Sequence, residues 1–165
     1  MIIQRQIFTE IECAQIINLI KENQNIWDNG DRRYESKSIF YNEKTKWIFD
    51  KMVNFFQEST HHQILELKKE IHFHTYNKGD WFGKHNDTRD RRLYSVGVLL
   101  NSDFDGGDFK IYTPQETTLS KNDGNAYVFD VTYEHEITRI TNGIKYSIIW
   151  FIQDNHIKIK QLSII

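Results

Sequence analysis

The chain has 165 residues, the size of one domain, and a second catalytic unit has no room. Hydrophobic residues make up 39%, aromatics 14% and charged residues 27%, enough apolar material for one core and too much for an intrinsically disordered chain. Lys and Arg total 21 against 23 Asp and Glu, a net charge of −2, so the basic excess that nucleic-acid backbones select is missing. Residues 1–165 are therefore read as a single domain. The Met1–Phe8 start lacks the basic-then-apolar pattern of a signal peptide, and no apolar run reaches the ~18 to 20 residues of a membrane span.

Thr9-Glu10-Ile11-Glu12 has the form of a capping box, with Phe8 and Cys13 at the staple positions, and it predicts a helix start. Cys13, Ile16, Ile17 and Ile20 follow at helical spacing, and the stripe ends in the polar Lys21–Asn25 segment. Cys13 is the only cysteine. An intramolecular disulfide and a Cys-rich zinc site are thereby excluded, and a reducing, cytoplasmic setting is expected. Asp28–Arg33 reads as a loop. A second helix is expected over Glu43–Glu58, where Ile48, Met52, Phe55 and Phe56 repeat the spacing. After Thr60 the period changes to two. Ile64–Tyr76, Leu93–Leu100, Phe109–Tyr112, Ala126–Val131, Ile144–Ile152 and His156–Ile164 have strand composition, separated by Gly, Asn and Asp turns. Helices followed by many short strands predict an α+β chain, mainly β, built as a sandwich, barrel or jelly roll.

His85 and Asp87 are two residues apart, so on a strand or at its end both project to one face. Alone the pair says little, because about one His-x-acid match is expected by chance at ordinary composition. His135 lies downstream in another strand-like segment, and two His plus a carboxylate on two strands is the facial triad of non-haem Fe(II) oxygenases. Lys145 sharpens the reading. It is the only charge in Ile144–Ile152, a segment with apolar residues on both faces and therefore buried on both. Either Lys145 guards an exposed sheet edge, or it is held for an anionic ligand that enters the interior.

In order, the chain carries Tyr76, Gly79, His85-x-Asp87, Arg92-x-x-Ser95 and Leu100-Asn101. Phe104-x-Gly106-Gly107-Asp108, Gly124-x-Ala126-x-x-Phe129, His135 and Thr141-x-Gly143-x-Lys145 follow. This pattern resembles the prolyl 4-hydroxylase-like branch of the 2-oxoglutarate and Fe(II)-dependent dioxygenases. The ten-residue spacing of His135 and Lys145 matches that family's distal His and basic residue. The resemblance implies a double-stranded β-helix, or jelly roll, with the N-terminal helices packed on one sheet. It further implies that His85, Asp87 and His135 bind Fe(II), that Lys145 pairs with the distal carboxylate of 2-oxoglutarate, and that Tyr76 hydrogen-bonds this cosubstrate. Arg92 sits where family members use a basic residue toward substrate, and Phe151 occupies a peptide-side position.

Two departures stand out. Leu99 replaces the Tyr that several members place before the Leu-Asn pair, and Phe151 and Gln153 stand where collagen- and plant-type prolyl 4-hydroxylases tend to have Trp and His. The implied activity is hydroxylation by Fe(II), O2 and 2-oxoglutarate, with ascorbate as a reductant, of a prolyl or other residue in a peptide or protein. The alternatives are a free amino acid, small metabolite or nucleobase as substrate, or a catalytically silent jelly-roll binding module. Membrane and nucleic-acid partners are not expected. His72 and His74 alternate with Tyr76 and share its face, which leaves open whether they line a substrate groove. Trp81 and Phe82 suit either a loop lid or packing, and the Asn77–Arg92 segment is expected to be a loop.

Overall fold

Helix α1 (Glu10–Leu19) begins where local hydrogen bonding dictates. In the computed structural model, which describes residues 1–20 and 25–158, the Glu12 amide donates to the Thr9 hydroxyl at 3.1 Å. The Thr9 amide donates to the Glu12 carboxylate at 3.0 Å, which completes the box. Lys51 Nζ reaches the same carboxylate at 2.8 Å and ties the first helix to α2 (Lys46–Thr60). The second helix starts three residues later than its apolar period implies. The Asn42 side chain accepts from the amides of Lys44 and Thr45, holding a turn ahead of it. Its stripe, Ile48, Phe49, Met52, Phe55 and Phe56, is fully buried. Most of the polar Lys21–Asn25 segment lies outside the described residues. No helix among the described residues is long and apolar enough to cross a membrane.

The strands are β1 (Ile2–Gln6), β2 (Asn25–Asp28), β3 (Arg32–Phe40), β4 (Gln63–Ile64) and β5 (Glu70–Tyr76). They continue as β6 (Trp81–His85), β7 (Arg92–Leu99), β8 (Asp105–Gly106), β9 (Phe109–Tyr112) and β10 (Glu116–Thr118). The last are β11 (Asn125–Asp130), β12 (Glu134–Ile137), β13 (Ile140–Asn142), β14 (Lys145–Gln153) and β15 (Ile157–Lys158). Eleven of them make one antiparallel sheet in the order β1-β11-β7-β14-β5-β3-β6-β12-β9-β10, with β2 paired to β3.

Strand β3 is where this sheet folds over. Its first residues, Arg32 and Arg33, pair with Phe82 and Trp81 of β6, and Glu35–Phe40 pair with β5. The half from β1 to β3 therefore faces the half from β6 to β10, as in a jelly roll. Both helices cover the outside of the first half. Val96 and Val98 of β7 and Ile148, Trp150 and Ile152 of β14 join the helix residues in one core. The alternate residues of the same strands point into the roll.

Three expectations are corrected. The Asp28–Arg33 loop shrinks to residues 29–31, because β2 and β3 form a hairpin around it. Strand β3, Arg-Arg-Tyr-Glu-Ser-Lys-Ser-Ile-Phe, buries only Tyr34 and Ile39, so its polar positions hide the alternation. The Asn77–Arg92 segment contains β6, whose Trp-Phe-Gly-Lys-His sequence has no period and whose pairing comes from β3 and β12. The strand expected over His156–Ile164 begins with a 3-10 turn, Asp154–His156, followed by β15, and residues 159–164 lie outside the described residues.

Candidate metal centre and anion pocket

His85 closes β6, Asp87 follows in the next turn, and His135 lies on β12 directly across from His85 in the antiparallel register. The Asp87 amide donates to Val131 O at 3.0 Å, which fastens the turn to the segment leading into β12. One side-chain donor atom from each of the three residues lies within 4.8 Å of the others. No other such group of His, Cys, Asp and Glu occurs among the described residues.

The hydrogen bonds around the triad fix its chemistry. His85 Nδ1 lies 2.7 Å from Gly83 O, and His135 Nδ1 lies 3.0 Å from Tyr133 O. A carbonyl only accepts, so each Nδ1 carries the proton and each Nε2 presents a lone pair. Those lone pairs face the Asp87 carboxylate, 3.4 Å from His85 and 3.3 Å from His135. Three candidate ligand atoms thus converge, and His85 Nε2 is buried without a hydrogen-bond partner. A divalent cation satisfies all three, and two imidazoles with one carboxylate are the donor set that suits Fe(II).

The surrounding groups hold this arrangement. Ser95 Oγ donates to Asp87 Oδ2 at 2.6 Å. Burial raises the Asp87 carboxyl pKa, and the hydrogen bond from the Ser95 hydroxyl acts against it by favouring the carboxylate. Phe82 stacks on His85 with ring centroids 3.6 Å apart, and Phe109 lies parallel to His135 at 5.5 Å. Phe82 is therefore packing. Its neighbour Trp81 takes the Arg139 guanidinium at 4.4 Å.

Phe109 is also a wall of a second compartment. Lys145 Nζ lies 5.7 Å from the Phe109 ring, 5.7 Å from Tyr76 and 5.8 Å from Phe104. Lys145 is 3% exposed at the start of β14, a strand paired on both sides, so the edge-guard alternative falls. Its ammonium donates to Gly107 O at 2.9 Å. Burial, with the like charge of Lys121, pulls its pKa down to about 7 against the pull of Asp108. The pocket around it is lined by Leu99, Lys121, Asn125, Tyr127 and Ser147 among others. Gly97 makes room for one wall, since a Cβ there would sit 2.3 Å from the Tyr127 ring.

Tyr76 pairs with Lys145 in the β5–β14 register, 1% exposed and stacked on Tyr34 at 5.1 Å. His74 pairs with Ser147 and His72 with Ile149, so both histidines share the interior face with Tyr76. Burial drops the His74 pKa to about 3, so the ring is neutral, and it packs on Tyr34 at 4.4 Å. The structure also brings Arg92 and Phe151 together, the guanidinium 3.7 Å above the ring, with His72 6.1 Å from Phe151. Gln153 is occupied, donating to Asp90 O at 2.6 Å. Lys121 escaped sequence reasoning, because one Lys among Ser, Asn and Asp in a turn carries no signal of its own.

Comparisons with known proteins agree with this geometry. The sequence model of the 2OG-Fe(II) oxygenase superfamily matches residues 71–153. Among solved structures, a Pseudomonas putida prolyl-4-hydroxylase aligns with a TM-score of 0.73 at 21% identity, covering 92% of each chain. A Trichoplax adhaerens prolyl hydroxylase, in complex with a hypoxia inducible factor oxygen degradation domain peptide fragment, gives 0.74 at 16% identity over 94% of this chain and 84% of its own. The viral collagen prolyl hydroxylase of Paramecium Bursaria Chlorella virus-1, as its 2OG complex, gives 0.70 at 19% over 91% and 94%. No curated protein sequence matches the chain. At these identities the structures establish a shared fold, the jelly roll.

Proposed function

The chain belongs to the 2OG-Fe(II) oxygenase superfamily, and from that premise we propose that it hydroxylates a prolyl or other residue of an extended peptide. The oxygenase class carries Fe(II), 2-oxoglutarate and O2 with it. The observation that carries the reading is the convergence of three candidate ligand atoms, from His85, Asp87 and His135, on one point beside a pocket that buries a lysine. A silent binding module has no reason to keep both.

Each residue then has a task. His85, Asp87 and His135 hold the iron, their rings oriented by Gly83 O, Tyr133 O and the Phe82 and Phe109 faces. Lys145 neutralises the distal carboxylate of 2-oxoglutarate, and Tyr76, beside it on β5, offers a hydroxyl to the same molecule. When bound, iron and 2-oxoglutarate supply, with O2, the oxidant for an unactivated C–H bond, and the cosubstrate leaves as succinate and CO2. The protein contributes orientation, anion capture and exclusion of water by the aromatic walls.

Peptide as substrate is supported by two observations. Arg92 stacked on Phe151 gives a flat cationic surface beside His72, suited to backbone carbonyls and an apolar side chain. One structural neighbour, the Trichoplax enzyme, is described in complex with a peptide fragment. Incubating a proline-containing peptide library with enzyme, Fe(II), ascorbate and 2-oxoglutarate should yield a +16 Da product by mass spectrometry. Succinate release stimulated by free amino acids or nucleosides, with no modified peptide, moves the substrate to the small-molecule class.

A further inference from the structure

A second cation shares the pocket of Lys145. Lys121 lies in the turn before β11 and, like Lys145, lines the compartment. Its Nζ donates to Gly106 O at 3.0 Å, while Lys145 Nζ donates to Gly107 O at 2.9 Å. Consecutive carbonyls of one two-glycine turn therefore hold the two ammoniums. Both glycines have positive φ, +71° and +62°, and a Cβ on Gly106 would meet Arg139 O at 2.2 Å. The turn is built for glycine. Phe104 lies under both cations, 4.2 Å from Lys121 and 5.8 Å from Lys145.

The charge balance of this compartment is incomplete. Each ammonium has three donors, and the carbonyl takes one of them. Among the described residues neither lysine has a carboxylate within ion-pair distance, and Asp108 acts on Lys145 only as a more distant charge. Two like charges in a half-enclosed space repel, and an aromatic floor with two neutral carbonyls is weak compensation. Leu99, on the same wall, offers no hydroxyl. What the compartment lacks is an anion that can accept from both lysines at once.

We propose that Lys121 is a second anchor for the distal carboxylate of 2-oxoglutarate and that, with Lys145, it sets the preference for a dicarboxylate over a monocarboxylate 2-oxo acid. This rests on the 2-oxoglutarate reading of the pocket. Lys145 binds one carboxylate oxygen from the floor of the roll, and Lys121 binds from the turn side. Lys121 is only half-buried, so its replacement leaves the core intact.

The test is calorimetric titration of the Mn(II)-loaded full chain with 2-oxoglutarate and with 2-oxovalerate, which has the same length and no distal carboxylate. The proteins are wild type, Lys121→Gln, Lys121→Arg and Lys145→Ala. Lys121→Gln should weaken 2-oxoglutarate about tenfold, the low end for a hydrogen bond to a charged group, and leave 2-oxovalerate unchanged. Lys121→Arg should recover most of the affinity. Unchanged 2-oxoglutarate binding in Lys121→Gln, with a loss in Lys145→Ala, overturns the role of Lys121 and leaves the pocket assignment standing. Equal loss of both acids overturns it too, since the effect is then not on the distal carboxylate. No loss in Lys145→Ala either would overturn the 2-oxoglutarate pocket itself.

Discussion

The two faces of β14 divide the protein's work. Toward the helices, Ile148, Trp150 and Ile152 are wholly buried and apolar, and Trp150 Nε1 meets its one polar demand by donating to Lys68 O at 2.9 Å. Toward the interior of the roll, Lys145, Ser147, Ile149 and Phe151 alternate with them, and this face carries an ammonium with no acid and a ring stacked under Arg92. One strand therefore pays on its inner face for what its outer face stabilises. A strand buried on both sides can hold a reactive interior only if its other face is packed well enough to fix the register.

The largest effect expected is on the inner side, at the metal position. Asp87→Ala and His135→Ala should each abolish 2-oxoglutarate turnover in folded protein, with bound iron lost by elemental analysis. A variant that keeps wild-type succinate release removes the triad from the mechanism.

On the outer face the order is reversed. Trp150→Ala should cost about 3–5 kcal/mol in denaturant unfolding, as expected for an emptied aromatic site, and should alter 2-oxoglutarate affinity little in whatever fraction stays folded. A larger effect on binding than on stability would erase the contrast between the faces.

Lys145 sharpens the comparison, because it should act in opposite directions on the two quantities. Lys145→Ala should weaken 2-oxoglutarate by about 2–5 kcal/mol in calorimetry, the range for truncating one side of a buried charge pair. Lys145→Met should leave the ligand-free fold equally or more stable. In the wild type, burial lowers the folded-state pKa to about 7, below the ordinary lysine value of 10.5. The unfolded chain then binds more protons between these two values. The Lys145 contribution to stability therefore rises with pH across that window, and the rise should vanish in Lys145→Met. Over the same pH increase 2-oxoglutarate affinity should fall, since the ligand requires the ammonium.

The smallest effect is reserved for the substrate side. Arg92→Ala should raise the KM for a peptide substrate several-fold, consistent with a loss of about 1 kcal/mol for a partly exposed cation over a ring, and leave 2-oxoglutarate binding unchanged. Equal changes in both constants would place Arg92 in the cosubstrate site.

Much of this was legible along the chain where the controlling interactions are short. The Thr9–Glu12 box, the α2 stripe from Ile48 to Phe56 and the alternation of β14 depend on neighbours one to four residues away. The His85, Asp87 and His135 set was visible because few residue types at few spacings suit a metal, and Lys145 stood out as the only charge in a segment apolar on both faces. Pairing across long separations was not legible. Strand β3 became a strand because β5 and β6 flank it, not because of its own polar sequence, and β6 owes its form to β3 and β12. The meeting of Lys121 with Lys145 at the Gly106-Gly107 turn, and of Arg92 with Phe151, likewise exists only once the sheet has folded over. Caps and periods are set by hydrogen bonds and rotamers within a few residues, whereas the contents of an interior are set by which distant strands share its walls, and only the closed roll decides that.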